Sequence, residues 1–138
     1  MTWLLYACIS AVAAAFTAIL AKVGVEGVPS TLATAIRTVV VVIFAWMMVL
    51  GLNEQRALTT ISRRSVLFLV LSALATGVSW LAYFRALQLG PASRVAPIDK
   101  LSLPLTIVLA ALFLGEPIGP RTAFGVALMT AGALLTIS

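Results

Sequence analysis

The chain has 138 residues, of which 62% are hydrophobic and only 9% charged, with a formal net charge of +5. Soluble domains carry about 25% charged residues, so a water-soluble globule is excluded. The apolar runs also far exceed the ~10-residue alternating segments of a membrane barrel. With no histidine and a single cysteine, Cys8, a His-based zinc site, a Ser-His-Asp triad, an intrachain disulfide and a cysteine metal cluster are all ruled out. The fold class is therefore all-α integral membrane. At about 20 residues per span, five transmembrane helices fit, in one domain over residues 1–138 with spans at 3–21, 31–52, 65–87, 96–114 and 122–138. No cofactor and no metal are expected. The positive charge points to membrane orientation, which places arginine and lysine in loops, and not to nucleic acid. The N-terminus has no positive n-region, so it reads as a retained first span and not a cleaved signal peptide.

Span 1 carries Trp3 and Tyr6 at one end and Lys22 at the other, as interface anchors. Ala7, Ala11, Ala14, Ala18 and Ala21 recur at helical spacing and form a small-residue face for close helix approach. Tyr6, Ser10 and Thr17 make a sparser polar stripe. Gly24, Gly27 and Pro29 break the chain, and Ser30 and Thr31 are the expected N-caps of span 2. Span 2 gathers Thr34, Arg37 and Thr38 near its start. The loop 53–64 holds Arg56, Arg63 and Arg64 and is the strongest cytoplasmic marker.

Span 3 carries Ser72, Thr76, Ser79 and Tyr83 at i, i+4, i+7 and i+11, one polar stripe on an apolar helix. A tight turn is expected from Gln88 to Arg94. Span 4 opens with Pro97, Asp99 and Lys100, and Asp99, Ser102 and Thr106 share a face. It is expected to be broken twice, at Pro97 and Pro104, because proline lacks the N–H and clashes with the carbonyl four residues back. Pro104 would loosen the backbone at Lys100. Gly115, Pro117, Gly119 and Pro120 form the next turn. Span 5 has Gly125 and Gly132 seven apart and no charge, so spans 1 to 4 are expected to share a polar interior with span 5 outside it or against a partner.

Several residues are candidates for substrate contact or coupling. A carboxylate at lipid depth is costly and often functional; Asp99 is either a proton or cation coupling group or a helix-start residue near the interface. Lys100 either meets an anionic substrate, neutralises Asp99 or snorkels. Arg37 either snorkels, pairs with Asp99 or Glu26, or meets substrate. Ser102, Thr106, Ser79, Tyr83, Ser10 and Thr17 line the stripes, although such hydroxyls also bond backbone carbonyls in membrane helices. Trp80 stacks on substrate or sits in lipid. Pro97 and Pro104 are kinks, Glu116 a structural cap or loop anchor, and Cys8 a packing residue.

The run Tyr83-Phe84-Arg85-Ala86-Leu87, then Pro91-Ala92-Ser93, Pro97, Pro104, Leu114-Gly115-Glu116, Gly125 and Gly132, resembles the EamA domain of the drug/metabolite transporter superfamily. Lys22 and Arg37 fall where that family often has basic residues. The chain departs from it in span 1, with Phe16-Thr17 where many members have a Trp-Gly pair, and span 1 has no acid to match the glutamate of the small multidrug exporters. The resemblance covers essentially the whole chain and implies one five-span repeat, half of a ten-helix inverted-repeat transporter. It further implies a homodimer in place of the missing repeat. An odd number of spans makes the single-copy equivalent an antiparallel pair, and the weak lysine and arginine bias between loops permits insertion both ways round.

The leading expectation is a secondary transporter in a bacterial inner membrane that exports a small polar or amphipathic metabolite by alternating access. It would act as an antiparallel homodimer in the lipid bilayer, and proton coupling through Asp99 is an open part of the scheme. The alternative is a non-transporting membrane subunit or a component of a lipid-linked metabolite flippase. No enzyme is expected: no spacing resembles an intramembrane protease.

Overall fold

The computed structural model describes residues 2–136; positions 137 and 138 of the last expected span lie outside the described residues. The helices are α1 (Thr2–Gly24), α2 (Ser30–Gly51), α3 (Arg63–Leu89), α4 (Ala92–Asp99), α5 (Ser102–Leu109) and α6 (Pro120–Leu135). A short 3-10 segment, Glu54–Thr60, links α2 to α3, and a π-turn, Ala110–Leu114, ends the run after α5. No strand occurs among the described residues. Four helical stretches are long and apolar enough to cross a bilayer: Thr2–Gly24, Ser30–Gly51, Arg63–Leu89 and Ala92–Leu114. The fifth, α6, has 16 residues, about 24 Å at ~1.5 Å per residue, which is shorter than a bilayer core of about 30 Å.

The helix boundaries follow from local chemistry. At the start of α2 the expected serine and threonine caps are not used. Pro29, with φ −54 and ψ 130, is the N-cap, and its carbonyl accepts the Ala33 N–H at 3.0 Å. Ser30 and Thr31 fall inside the first turn, because proline has no N–H to leave unpaired and its fixed φ presets the entry. The turn between α3 and α4 is tighter than expected and comprises only Gly90 and Pro91.

The break in span 4 also differs from expectation. α4 runs through Pro97, which removes a single bond just past the first turn. The helix breaks once, at Lys100 and Leu101. Pro104 has no N–H to offer the Lys100 carbonyl, and that oxygen instead accepts the Leu103 N–H at 3.0 Å, while Leu101 N–H reaches Ile98 at 3.0 Å. These are i→i−3 bonds, the 3-10 pattern that tightens a chain where the α-ladder is interrupted. The Lys100 carbonyl is thus not left free.

The chain forms two compact units, one of Met1–Leu20 and Leu89–Ser138, the other of Ala21–Gln88. In the first, α6 packs against α4 and against α5. This last helix, expected outside a polar interior or against a partner, thus packs on both halves of span 4. Along it, Gly125 and Val126 are half-buried and Ala133 is buried. In the second, the tail of α1, the following linker, α2 and α3 surround a small core. Buried hydrophobic residues among those described are Ala21, Val25, Phe84, Leu87 and Ala133, with Thr34 the buried polar one. Most large apolar side chains are exposed; Phe113 at 80% and Leu112 at 73% show how little of the apolar surface the chain itself covers. Lipid or a second protein surface must cover the rest.

Candidate functional site

In the unit Ala21–Gln88, α2 and α3 meet through side chains spaced far apart in sequence. Arg37, half-buried and seven residues past Ser30 on α2, places its guanidinium carbon 4.4 Å from the Trp80 ring centroid and 5.3 Å from that of Phe84. Facing aromatic rings attract a cation through their quadrupoles, more strongly where water is scarce. Tyr83 packs edge-on to Phe84 at 6.3 Å between centroids. Arg37 and Trp80 were separate candidates in sequence, the first for snorkelling, an acid or substrate, the second for substrate or lipid. The fold gives them to each other.

Below this stack lies a polar latch that sequence reasoning passed over. Lys22 donates to the Leu87 carbonyl at 2.6 Å, a cation placed on a terminal carbonyl of α3, where the helix dipole favours it. Gln88 donates from one amide nitrogen to the carbonyls of Val25 at 3.2 Å and Val28 at 2.5 Å. Its own oxygen accepts from Arg85 Nη1 at 3.1 Å. The linker between α1 and α2 is a run of breakers, and Gln88 adds donors to two of its carbonyls, that of Val25, which also accepts the Val28 N–H at 3.4 Å, and that of Val28. A glutamine at the end of an apolar span, beside a Gly-Pro turn, was the available signal.

In the other unit, Asp99 and Lys100 lie together at the break between α4 and α5, with Lys100 Nζ 3.3 Å from Asp99 Oδ2. Adjacent residues on a regular helix diverge, and the ψ of −8 at Lys100 is where the chain departs from that geometry. Asp99 is half-buried and Lys100 exposed. Ser102 and Thr106 are exposed, and Thr106 donates to the Ser102 carbonyl at 2.8 Å. Thr106 also lines a cleft of about 290 Å³ with Ile107, Ala110, Glu116, Pro117, Ile118 and Thr122. The corner itself is a left-handed cap. Gly115 has φ +69, and the N–H groups of Gly115 and Glu116 both point to the Ala110 carbonyl. The capping role expected of Glu116 is thus carried by its backbone N–H, at a residue that also lines the cleft.

The remaining candidates are dispersed. Ser10 and Ser79 are exposed and Thr17 half-buried. On the span-3 stripe, Thr76 donates to the Ser72 carbonyl at 2.9 Å. Gly125 and Gly132 have nothing within 4 Å of where a Cβ would sit, so neither marks a close approach within the chain.

The sequence profile of the EamA-like transporter family matches residues 1–138. A protein of Sinorhizobium sp. named "Uncharacterized transporter in cobO 3'region" is 49% identical over 134 residues, which cover 97% of this chain and 95% of that protein. No solved structure matches the chain.

Proposed function

Because this chain belongs to the EamA-like transporter family, and so is a multi-pass membrane transporter, we propose that it exports a small polar or amphipathic metabolite as an antiparallel homodimer. Its location is the bacterial inner membrane, a reading supported by the Sinorhizobium relative. One observation carries the proposal: the polar groups of the helices are as exposed as the apolar ones. Ser72, Thr76, Ser79, Lys100, Ser102 and Thr106 all lie on open surface of the single chain. Lipid can cover the leucines and phenylalanines at no cost, and the Thr76 and Thr106 hydroxyls are bonded to backbone carbonyls, but an ammonium group and the remaining serine hydroxyls are poorly covered by lipid. A second copy can cover them, and inverted repeats with a site at mid-membrane are a common transporter plan.

In this scheme the break at Lys100 and Leu101 is the wall of the path where backbone departs from regular helix. Asp99, half-buried and beside Lys100, is the group that exchanges a proton or cation as the two copies rock.

The test is reconstitution of the purified chain in liposomes, with a metabolite panel and an imposed proton gradient. Uptake that responds to the gradient is expected, and Asp99→Asn should abolish that response. In parallel, the 53–64 loop carries a single engineered cysteine in a Cys8→Ser background. Labelling of this cysteine from both membrane sides is expected of an antiparallel pair. Absence of flux across the panel, with another protein co-purifying in fixed ratio, would instead make this chain a subunit of a larger assembly.

A further inference from the structure

We propose that the Arg37–Trp80 stack is an oxyanion-binding site, built to receive a carboxylate or phosphate group. The binding claim stands on the geometry of one unit; its meaning as a substrate class, an anionic metabolite, rests on the transporter reading above.

Three observations converge on it. The first is the state of the guanidinium. Arg37 makes neither a hydrogen bond nor an ion pair with any described residue. The Trp80 and Phe84 rings favour its charge but offer no lone pairs to its five N–H donors, which match a carboxylate or phosphate in a two-point fork. The second is depth. Trp80 lies nine residues before the end of α3 at Leu89, about 13 Å along the axis at ~1.5 Å per residue. An arginine that snorkels reaches outward to water; this one is stacked alongside the ring of an inner residue. Arg37 is half-buried there, and donors withdrawn from water favour an acceptor.

The third is the charge and hydrogen-bond inventory around the stack. Gln88 Oε1 is engaged by Arg85 Nη1, and the Thr34 and Thr38 hydroxyls donate to the carbonyls of Ser30 and Thr34. Lys22 sits on the Leu87 carbonyl and Arg85 follows Phe84 in sequence, so this end of α3 gathers three cations. The nearby linker contributes a single carboxylate, Glu26, which is exposed and makes no ion pair with Arg37. A cationic site with unused donors and a ring platform takes an anion supplied from outside the chain. Both a soluble metabolite and a lipid headgroup carry that chemistry.

Trp80 itself reports occupancy. With Trp3→Phe and Trp46→Phe it becomes the sole tryptophan of the three. The full chain is purified in an uncharged maltoside detergent and its emission followed in two arms. In one, inorganic phosphate or succinate is added against chloride at equal ionic strength; in the other, phosphatidylglycerol is added to the micelles. A saturable change in the first arm assigns the site to soluble oxyanions, and a change in the second alone assigns it to lipid phosphate. In either case Arg37→Gln should weaken binding at least tenfold. Arg37→Lys, which keeps the charge and the ring contact but loses the fork, should weaken it several-fold and decides the matter if the glutamine variant does not fold. No saturable change in either arm, or one equally strong in both variants, overturns the proposal. Because emission and flux are read separately, flux without oxyanion binding would leave the transporter reading standing and remove only this inference.

Discussion

Replacing Gly115 by alanine isolates the conformational demand of the corner that closes span 4. Gly115 has φ +69 and ψ 22, and a Cβ placed there would meet nothing within 4 Å. The cost is therefore backbone strain alone, about 1–2 kcal/mol for an alanine in the left-handed region. Gly125→Ala is the matched control, since Gly125 lies within α6 and its Cβ also meets nothing within 4 Å. There alanine should stabilise by about 0.5–1 kcal/mol through helix propensity. Both substitutions remove the same freedom from the unfolded chain, so that contribution cancels in the comparison. The two variants should therefore differ by the strain alone, about 1–2 kcal/mol, with Gly115→Ala the less stable. Gly115→Asn should recover part of the loss, since asparagine tolerates this region better than alanine. Equilibrium unfolding in mixed micelles, followed by circular dichroism, measures all three. If Gly115→Ala proves as stable as Gly125→Ala, the left-handed cap does not form.

Gln88→Leu removes two donors from the linker carbonyls of Val25 and Val28 at nearly constant volume. It should cost about 1–3 kcal/mol in the same unfolding assay, and a loss below about 0.5 kcal/mol would mean that other groups hold the linker. Pro104→Ala restores an N–H within reach of the Lys100 carbonyl, so amide exchange from Leu101 to Leu105 should slow as the two halves of span 4 join. Unchanged exchange would assign the break to residues other than Pro104. The same variant should lower flux in liposomes, because a straightened span 4 no longer presents Asp99 and Lys100 at a break.

Much of the fold was legible in the chain because its determinants are local. Apolar runs of 16 to 27 residues exclude water-exposed alternatives, and glycine and proline punctuate them. The break expected from Pro104 falls at Lys100, because a missing N–H acts on a carbonyl at a known offset. The same reasoning failed at Pro97, where proximity to the helix start makes one lost bond tolerable. It failed again at Ser30, where a preceding proline did the capping. In each case two local signals competed, and the choice depended on which backbone groups already had partners.

The site was less legible. Arg37, Trp80, Asp99 and Lys100 stood out singly because charge and large aromatics are conspicuous in an apolar chain. Their pairings were not readable from spacing, and the latch of Lys22 and Gln88 was missed, since each reads as an ordinary residue at the end of a span. The sequence alone determined that this is a helical membrane protein with a given order of spans and breaks, because burial in lipid and backbone hydrogen bonding act within each segment. Only the tertiary structure decided that Arg37 lies against Trp80 and that Gln88 holds a linker 60 residues away. Such contacts depend on the rotation and depth at which two helices meet, and in lipid no hydrophobic force sets these. Close packing and the few polar groups that must find partners set them instead.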